Sequence, residues 1–372
     1  MNDRFEKRLD DLREEARNKG GVTAAGVKPV GGPIPAQLGA PEAMLGTGYY
    51  GLPFLKPPVW KWMIAVYFFI GGLAGMSGLI AVAALMKGQY QMVRVAMWSA
   101  GMGGILSPVL LTWDLGRPTR FLNMLRVFKY QSPMSVGSWI VSAFGACAVP
   151  GLGFVEWHWQ NMQGGQLTPA VQIIAAILVI GSGMAGIFLA TYTGALIAVT
   201  AVPAWNLHRV LLPFHFGMAG LGSASAMVEL AGFRQPALNV IGLFAASAQV
   251  LVMLYLELRK HGAADRALHE GKSGWVLRIG EALEGPLALA LRAAGLVPEA
   301  AIAFLLGALI SRFGWLSAGT ACANDPEAVL ASQCGDKRLA ESRFPHALEP
   351  ATASSQQSRS SLPRKNTKEH KA

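Results

Sequence analysis

Long stretches without a single charged side chain decide what this chain can fold into. Between Lys61 and Lys87 lie 25 uncharged residues, between Arg94 and Asp114 nineteen, and between Lys129 and Glu156 twenty-six. No Asp, Glu, Lys or Arg occurs from Trp157 to His208. About 20 apolar residues cross the hydrocarbon core as a helix, an element that satisfies its own backbone there. The charges that exist are pushed outward. Residues 1–58 carry eight basic and seven acidic residues and residues 335–372 carry eight and four, which leaves sixteen and eleven for positions 59–334. A water-soluble surface needs about a quarter of its residues charged, so a soluble enzyme is excluded and an all-α integral membrane protein is expected. The net charge of +10 is spread over tails and loops with no basic stripe, so no nucleic-acid partner is expected.

Three regions follow. Residues 1–58 contain no apolar h-region, so no cleavable signal peptide is expected. Residues 3–18 space Phe5, Leu9, Leu12 and Ala16 as a short amphipathic helix, and residues 22–58 read as a Gly/Pro-rich linker. Residues 59–334 form the transmembrane domain, and residues 335–372 a disordered basic tail. Six spans come directly from the charge-free blocks, the last three at about 168–200, 210–228 and 235–256. The 283–316 region, divided by Arg292, Glu299 and Arg312 and broken at Pro298, is read as two more, the first amphipathic or partly interfacial. That gives about eight. The side carrying the N-terminus also carries Arg117, Arg120, Arg126, Lys129, Arg209, Arg259, Lys260, Arg266, Lys272 and Arg278, against Lys87, Arg94 and Arg234 opposite. The positive-inside rule places the N-terminus in the cytoplasm.

Few residues in such a chain carry chemistry. Gly71, Gly72, Gly75 and Gly78 sit three to four apart, as close helix packing of the small-xxx-small kind requires. Asp114, Arg117 and Arg120 fall where the second span meets water, and an Asp114–Arg117 pair would lower the cost of charge at the hydrocarbon boundary. Trp60, Trp62, Trp98, Trp113 and Trp139 lie toward span ends as interfacial anchors. Tyr67 lies a turn or two inside, where its hydroxyl could donate to a carbonyl group. His215 and Glu229 are ionisable groups in or at the end of a span, a possible proton relay, with Glu229 expected to reach water from the helix end. His208 and His215 are seven apart on one helix face, whereas a six-coordinate haem b takes two facing imidazoles, so no haem is expected. Three cysteines, Cys147, Cys322 and Cys334, with no CxxC, cannot hold an iron–sulfur cluster. A Cys322–Cys334 pair stays open.

Three stretches go further: YYGLPFLKPPVWKWMIAVYFFIGGLAG (49–75), SPVLLTWDLGRPTRFLNMLRVFKYQSPMSVGSW (107–139) and LLGALISRFGWLSAGTACANDPEAVLASQ (305–333). In these the chain resembles the NrfD/polysulfide-reductase membrane-subunit family, the anchors of molybdopterin oxidoreductase complexes. The resemblance implies eight transmembrane helices in two four-helix bundles, in the bacterial cytoplasmic (inner) membrane. It also implies a quinone (menaquinone or ubiquinone) as exchangeable ligand, no haem or iron–sulfur cluster in this chain, a ferredoxin-like iron–sulfur subunit docked beside it and a molybdopterin catalytic subunit beyond. By the same resemblance, Trp60, Lys61, Trp62, Tyr67, Asp114 and Arg117 are the quinone-binding candidates. The function expected is an anchor passing electrons between the quinone pool and that partner, with little activity alone. A secondary transporter or proton-pathway subunit is the alternative.

Overall fold

The charge-free blocks fold as long helices. The computed structural model describes residues 55–58, 60–114, 119–162, 169–258 and 262–334, and among these there is no strand. Seven helices among the described residues are long and apolar enough to cross a membrane. They are α1 (Trp62–Met86), α2 (Tyr90–Asp114), α4 (Pro133–Met162), α5 (Pro169–Ala198), α7 (Leu211–Leu230), α8 (Pro236–Leu258) and α12 (Val297–Ala323). Short helices α3 (Thr119–Arg126), α6 (Pro203–Leu207), α9 (Arg266–His269) and α13 (Pro326–Cys334) lie in the connections or after the last span. Proline opens α4, α5, α6 and α8, the position at which a missing N–H costs nothing. Gly88, at φ 66°, and Gly295, at φ 78°, stand in two three-residue helix–helix turns, where only a residue without Cβ adopts that backbone at no cost.

The first of the two spans expected in the 283–316 region departs from expectation in place and in character, and it is not among the seven. α10 (Gly271–Ala282), a π turn (Leu283–Leu287) and α11 (Ala288–Ala293) run on as a continuous helix. It begins well before residue 283 and carries Lys272, Arg278, Glu281, Glu284 and Arg292, so hydropathy alone misplaces it. The break before α12 falls at Ala294–Leu296, with Pro298 in the first turn of the new helix. The expected N-terminal helix at 3–18, the 22–54 part of the linker and the tail from 335 lie outside the described residues.

α1 is the most central element. It packs on α2, α5, α7 and α12, and α2, α4 and α5 also pack on one another in the pairs α2–α4 and α4–α5. α7, α8, the 271–293 run and α12 form a second set of mutual neighbours. The α1 glycines serve more than one neighbour. Gly75 and Gly78 face Gly186 and Ser182 on α5, whereas Gly72 faces Gly220 on α7 and Gly71 lies against Tyr67 and Ser107. Backbones approach this closely because a bilayer offers no hydrophobic force between helices, so dispersion packing must hold them. Outward faces are apolar, for example Ile173, Ile177, Ile180, Met184 and Phe188 along α5. Cys322 is a buried free thiol that donates to the Ala264 carbonyl at 3.6 Å, whereas the Cys334 side chain lies outside the described residues.

Candidate functional site

The ends of α1, α2, α4 and α5 converge on one narrow cleft enclosing about 80 Å³. Trp60 stands just ahead of α1, and Ile64, Tyr67 and Phe68 follow it one and two turns on, so the helical period aims all four at the same space. The last turn of α2 adds Leu111 and Asp114, α3 adds Met124, α4 adds Met134, Gly137 and Ser138, and α5 adds Tyr192 and Leu196. The walls are mostly flat rings and aliphatic chains, with a phenol, a hydroxyl or a carboxylate at a few points. Such a lining suits an apolar planar ligand that needs orientation by few hydrogen bonds.

Local packing sets these positions. Trp60 stacks on Trp205, with ring centroids 5.3 Å apart and planes 13° apart, and meets Phe68 edge-on at 6.3 Å. Trp205 is itself buried and donates its indole N–H to the Trp315 carbonyl at 2.9 Å. Tyr192 donates its hydroxyl to the Pro133 carbonyl, and its ring lies so close to Gly137 that a β-carbon there would collide with it. Ser138 donates to the Ser135 carbonyl at 2.8 Å. Asp114 is different. Its Oδ1 is buried and has no hydrogen-bond partner among the described residues, a condition that costs free energy unless a ligand, water or ion satisfies it.

Of the residues singled out from sequence, Trp60, Tyr67 and Asp114 therefore line one cleft. Lys61 and Trp62 do not line it; both are exposed, Trp62 by 57%. Arg117 lies outside the described residues, and so does any Asp114–Arg117 pair. Tyr67, only 2% exposed, is a wall of the cleft, while Trp98, Trp113 and Trp139 are exposed on the outer surface. Phe68, Ser138 and Tyr192 escaped sequence reasoning because an aromatic or hydroxyl inside an apolar span looks like ordinary packing.

His215 and Glu229 are both on α7 but in separate surroundings, about 21 Å apart along the helix. Glu229 does not reach water, contrary to expectation. It is buried and accepts both guanidinium branches of Arg292, at 2.8 and 2.6 Å, while Arg292 also donates to Asn239 at 3.2 Å. The arginine comes from the far end of the 271–293 run, so the partner was invisible from the local sequence. His215 is fully buried. Gln249 donates from Nε2 to the His215 carbonyl at 3.1 Å, so its Oε1 faces the ring and accepts from Nδ1 at 2.6 Å. That arrangement leaves Nε2 of His215 aimed at Glu284, 3.9 Å away. Arg312 lies over the Phe216 ring at 3.7 Å and donates to the Phe216 carbonyl at 3.2 Å. Phe216 in turn meets Phe68 edge-on at 5.9 Å, so the cleft wall and this ionisable cluster share a neighbour. Among the described residues no group of three or more His, Cys, Asp or Glu could hold a metal ion.

Comparison with known proteins adds two findings. Residues 52–322 match the family described as Polysulphide reductase, NrfD. The chain is also similar to the protein NrfD of Escherichia coli (strain K12), 24% identical over 196 residues, which is 46% of this chain and 59% of that protein. The aligned stretch thus spans little more than half the length of that curated relative.

Proposed function

The chain belongs to the NrfD polysulphide reductase family, a multi-pass membrane family, and on that premise we propose that the Trp60–Tyr67–Asp114 cleft binds a quinone. The chain then acts as the membrane anchor of an oxidoreductase complex, passing electrons between the quinone pool and a ferredoxin-like iron–sulfur subunit. That subunit in turn serves a molybdopterin catalytic subunit. The observation that carries this reading is Asp114 Oδ1, a buried carboxylate oxygen without a partner among the described residues, at the rim of an apolar cleft.

When bound, a quinol supplies two electrons and two protons. The residues of the chain do the rest. Trp60 and Phe68 offer flat faces that hold a ring by stacking. Asp114 accepts a proton at Oδ1 from a hydroxyl placed against it and, standing on the last residue of α2, is placed to release it to water. Tyr67 points a phenol into the same space and can donate to the opposite oxygen. Lys61 and Trp62 keep the cleft end of α1 at the headgroup level. The partner docks on that end, and the excess of Lys and Arg in its loops supports a cytoplasmic placement.

The test uses the purified complex. Asp114→Asn and Tyr67→Phe are expected to impair quinol-linked turnover at least tenfold while leaving co-purification of the partner subunits intact. Normal menaquinol and ubiquinol kinetics in both variants would remove the assignment.

A further inference from the structure

One connection at the cleft end of the helices exposes more apolar surface than a water-facing loop needs. α3 and the turn after it present Leu122 (65% exposed), Val127, Phe128 and Tyr130 (76% exposed) outward. α3 packs chiefly on α4. Phe121, Met124 and Leu125, spaced as one helix face, are half-buried, and Met124 lines the cleft. Leu122 and Arg126, one turn apart, are both exposed on the other face. A short element that sets an apolar side chain beside a basic one suits the boundary between hydrocarbon and water.

Aromatic contacts fix the depth of this connection. Trp62, Trp113 and Trp139 are exposed at the cleft end of α1, α2 and α4, the level at which tryptophan gathers in a bilayer. Phe128 meets Trp139 edge-on, with ring centroids 6.0 Å apart. The turn after α3 therefore lies at headgroup level, not out in water. It is also held in shape. Ser135 donates to the Val127 carbonyl at 3.4 Å and accepts from the Lys129 N–H at 3.1 Å, and the Ser132 N–H donates to the Lys129 carbonyl at 3.0 Å.

The charge at this level is of one sign. Residues 115–155 include four basic residues, Arg117, Arg120, Arg126 and Lys129, and no Asp or Glu. Arg126 and Lys129 are exposed and form no ion pair among the described residues. The second set of helices differs at the same end: Arg266 meets Asp325 and Glu327, and Arg278 meets Glu257. Basic side chains at headgroup depth without a protein carboxylate draw anionic headgroups to themselves.

We propose that α3 and the turn after it form a binding site for an anionic phospholipid. Arg126 and Lys129 hold the phosphate, while Leu122, Phe128 and Trp139 take the upper part of an acyl chain. The occupant is a lipid and not a protein partner because Phe128 stands in the tryptophan belt, where acyl chains are the neighbours. Through Met124 the bound lipid steadies one wall of the cleft. The site itself does not rest on the quinone reading, since neither Arg126 nor Lys129 lines the cleft.

The experiment titrates the purified full-length chain in detergent with phosphatidylglycerol and, separately, with phosphatidylcholine, and counts retained lipids by native mass spectrometry. Wild type is expected to hold phosphatidylglycerol about tenfold more tightly than phosphatidylcholine. The double variant Arg126→Gln, Lys129→Gln is expected to bring the two lipids level, and Phe128→Ser to weaken both. Lys87→Gln, at the opposite end, should keep the wild-type preference, and millimolar inorganic phosphate should not displace the lipid. Equal retention of the two lipids by wild type, or a preference unchanged in the double variant, would overturn the proposal. Displacement by inorganic phosphate would replace it with a free-anion site. Loss of partner subunits from the double-variant complex, with the lipid preference intact, would make this face a protein contact instead.

Discussion

Trp60 and Trp205 stack face to face, 5.3 Å between ring centroids, and through this contact the mouth of the cleft rests on α6. Trp205 is held in turn by its bond to the Trp315 carbonyl and by Gly319, whose missing side chain leaves the space that the indole fills. The cleft is thus built on one set of helices and buttressed by the other.

Truncating the buttress should be costly. Trp205→Ala is expected to destabilise the protein by about 3–5 kcal/mol, the usual cost of removing a fully buried indole. Thermal unfolding in detergent checks the stability. Steady-state kinetics should show a raised quinol KM, because Trp60 loses the surface that orients it.

Tyr192 predicts a smaller effect. Tyr192→Phe removes the donation to the Pro133 carbonyl and keeps the ring that packs on Gly137. A net loss of about 1 kcal/mol corresponds to roughly a fivefold rise in quinol KM with little change in partner assembly. An unchanged KM would mean that the ring alone shapes this wall.

Gly75 and Gly88 separate two reasons for glycine. A β-carbon on Gly75 would run into the Gly186 carbonyl, so Gly75→Ala must force α1 and α5 apart and is expected to abolish accumulation of folded protein. At Gly88 nothing lies near a β-carbon, but φ is 66°, so Gly88→Ala should cost only about 1 kcal/mol. Expression level and gel-filtration profile of the two variants distinguish them.

The buried Glu229–Arg292 pair should behave unlike a surface pair. Glu229→Gln leaves Arg292 charged and buried and is expected to cost about 3–5 kcal/mol, whereas replacing both partners by leucine and methionine should recover most of that loss. Arg266 outside the spans is the contrast: Glu327, bonded to it at 2.9 Å, raises its guanidinium above the ordinary range, but both are exposed. Glu327→Gln should leave the unfolding temperature unchanged. Parallel thermal scans of these variants give the comparison.

Much was legible from one property, the absence of charge. The charge-free blocks became α1, α2, α4, α5, α7 and α8, because a helix in lipid needs nothing beyond its own residues to satisfy its backbone. The exception explains itself in the same terms. The 271–293 run keeps its charges because Glu281, Glu284 and Arg292 are turned inward onto α7, α8 and α12, and hydropathy averages around a helix without knowing which face meets lipid.

The site divides along the same line. Trp60, Tyr67 and Asp114 were singled out from the family-like stretches at the start of the first span and the end of the second, and the fold brings them to one cleft. Lys61 and Trp62, their immediate neighbours, point elsewhere, since one residue along a helix is a turn of 100°. The sequence by itself determined that the chain is a bundle of membrane helices and at which end its polar groups gather. Only the tertiary structure decided that Glu229 meets Arg292, that His215 meets Glu284, and that Tyr192 closes the cleft. Partners so far apart along the chain are chosen by how the helices pack, and inside lipid each buried charge depends on that packing to be satisfied at all.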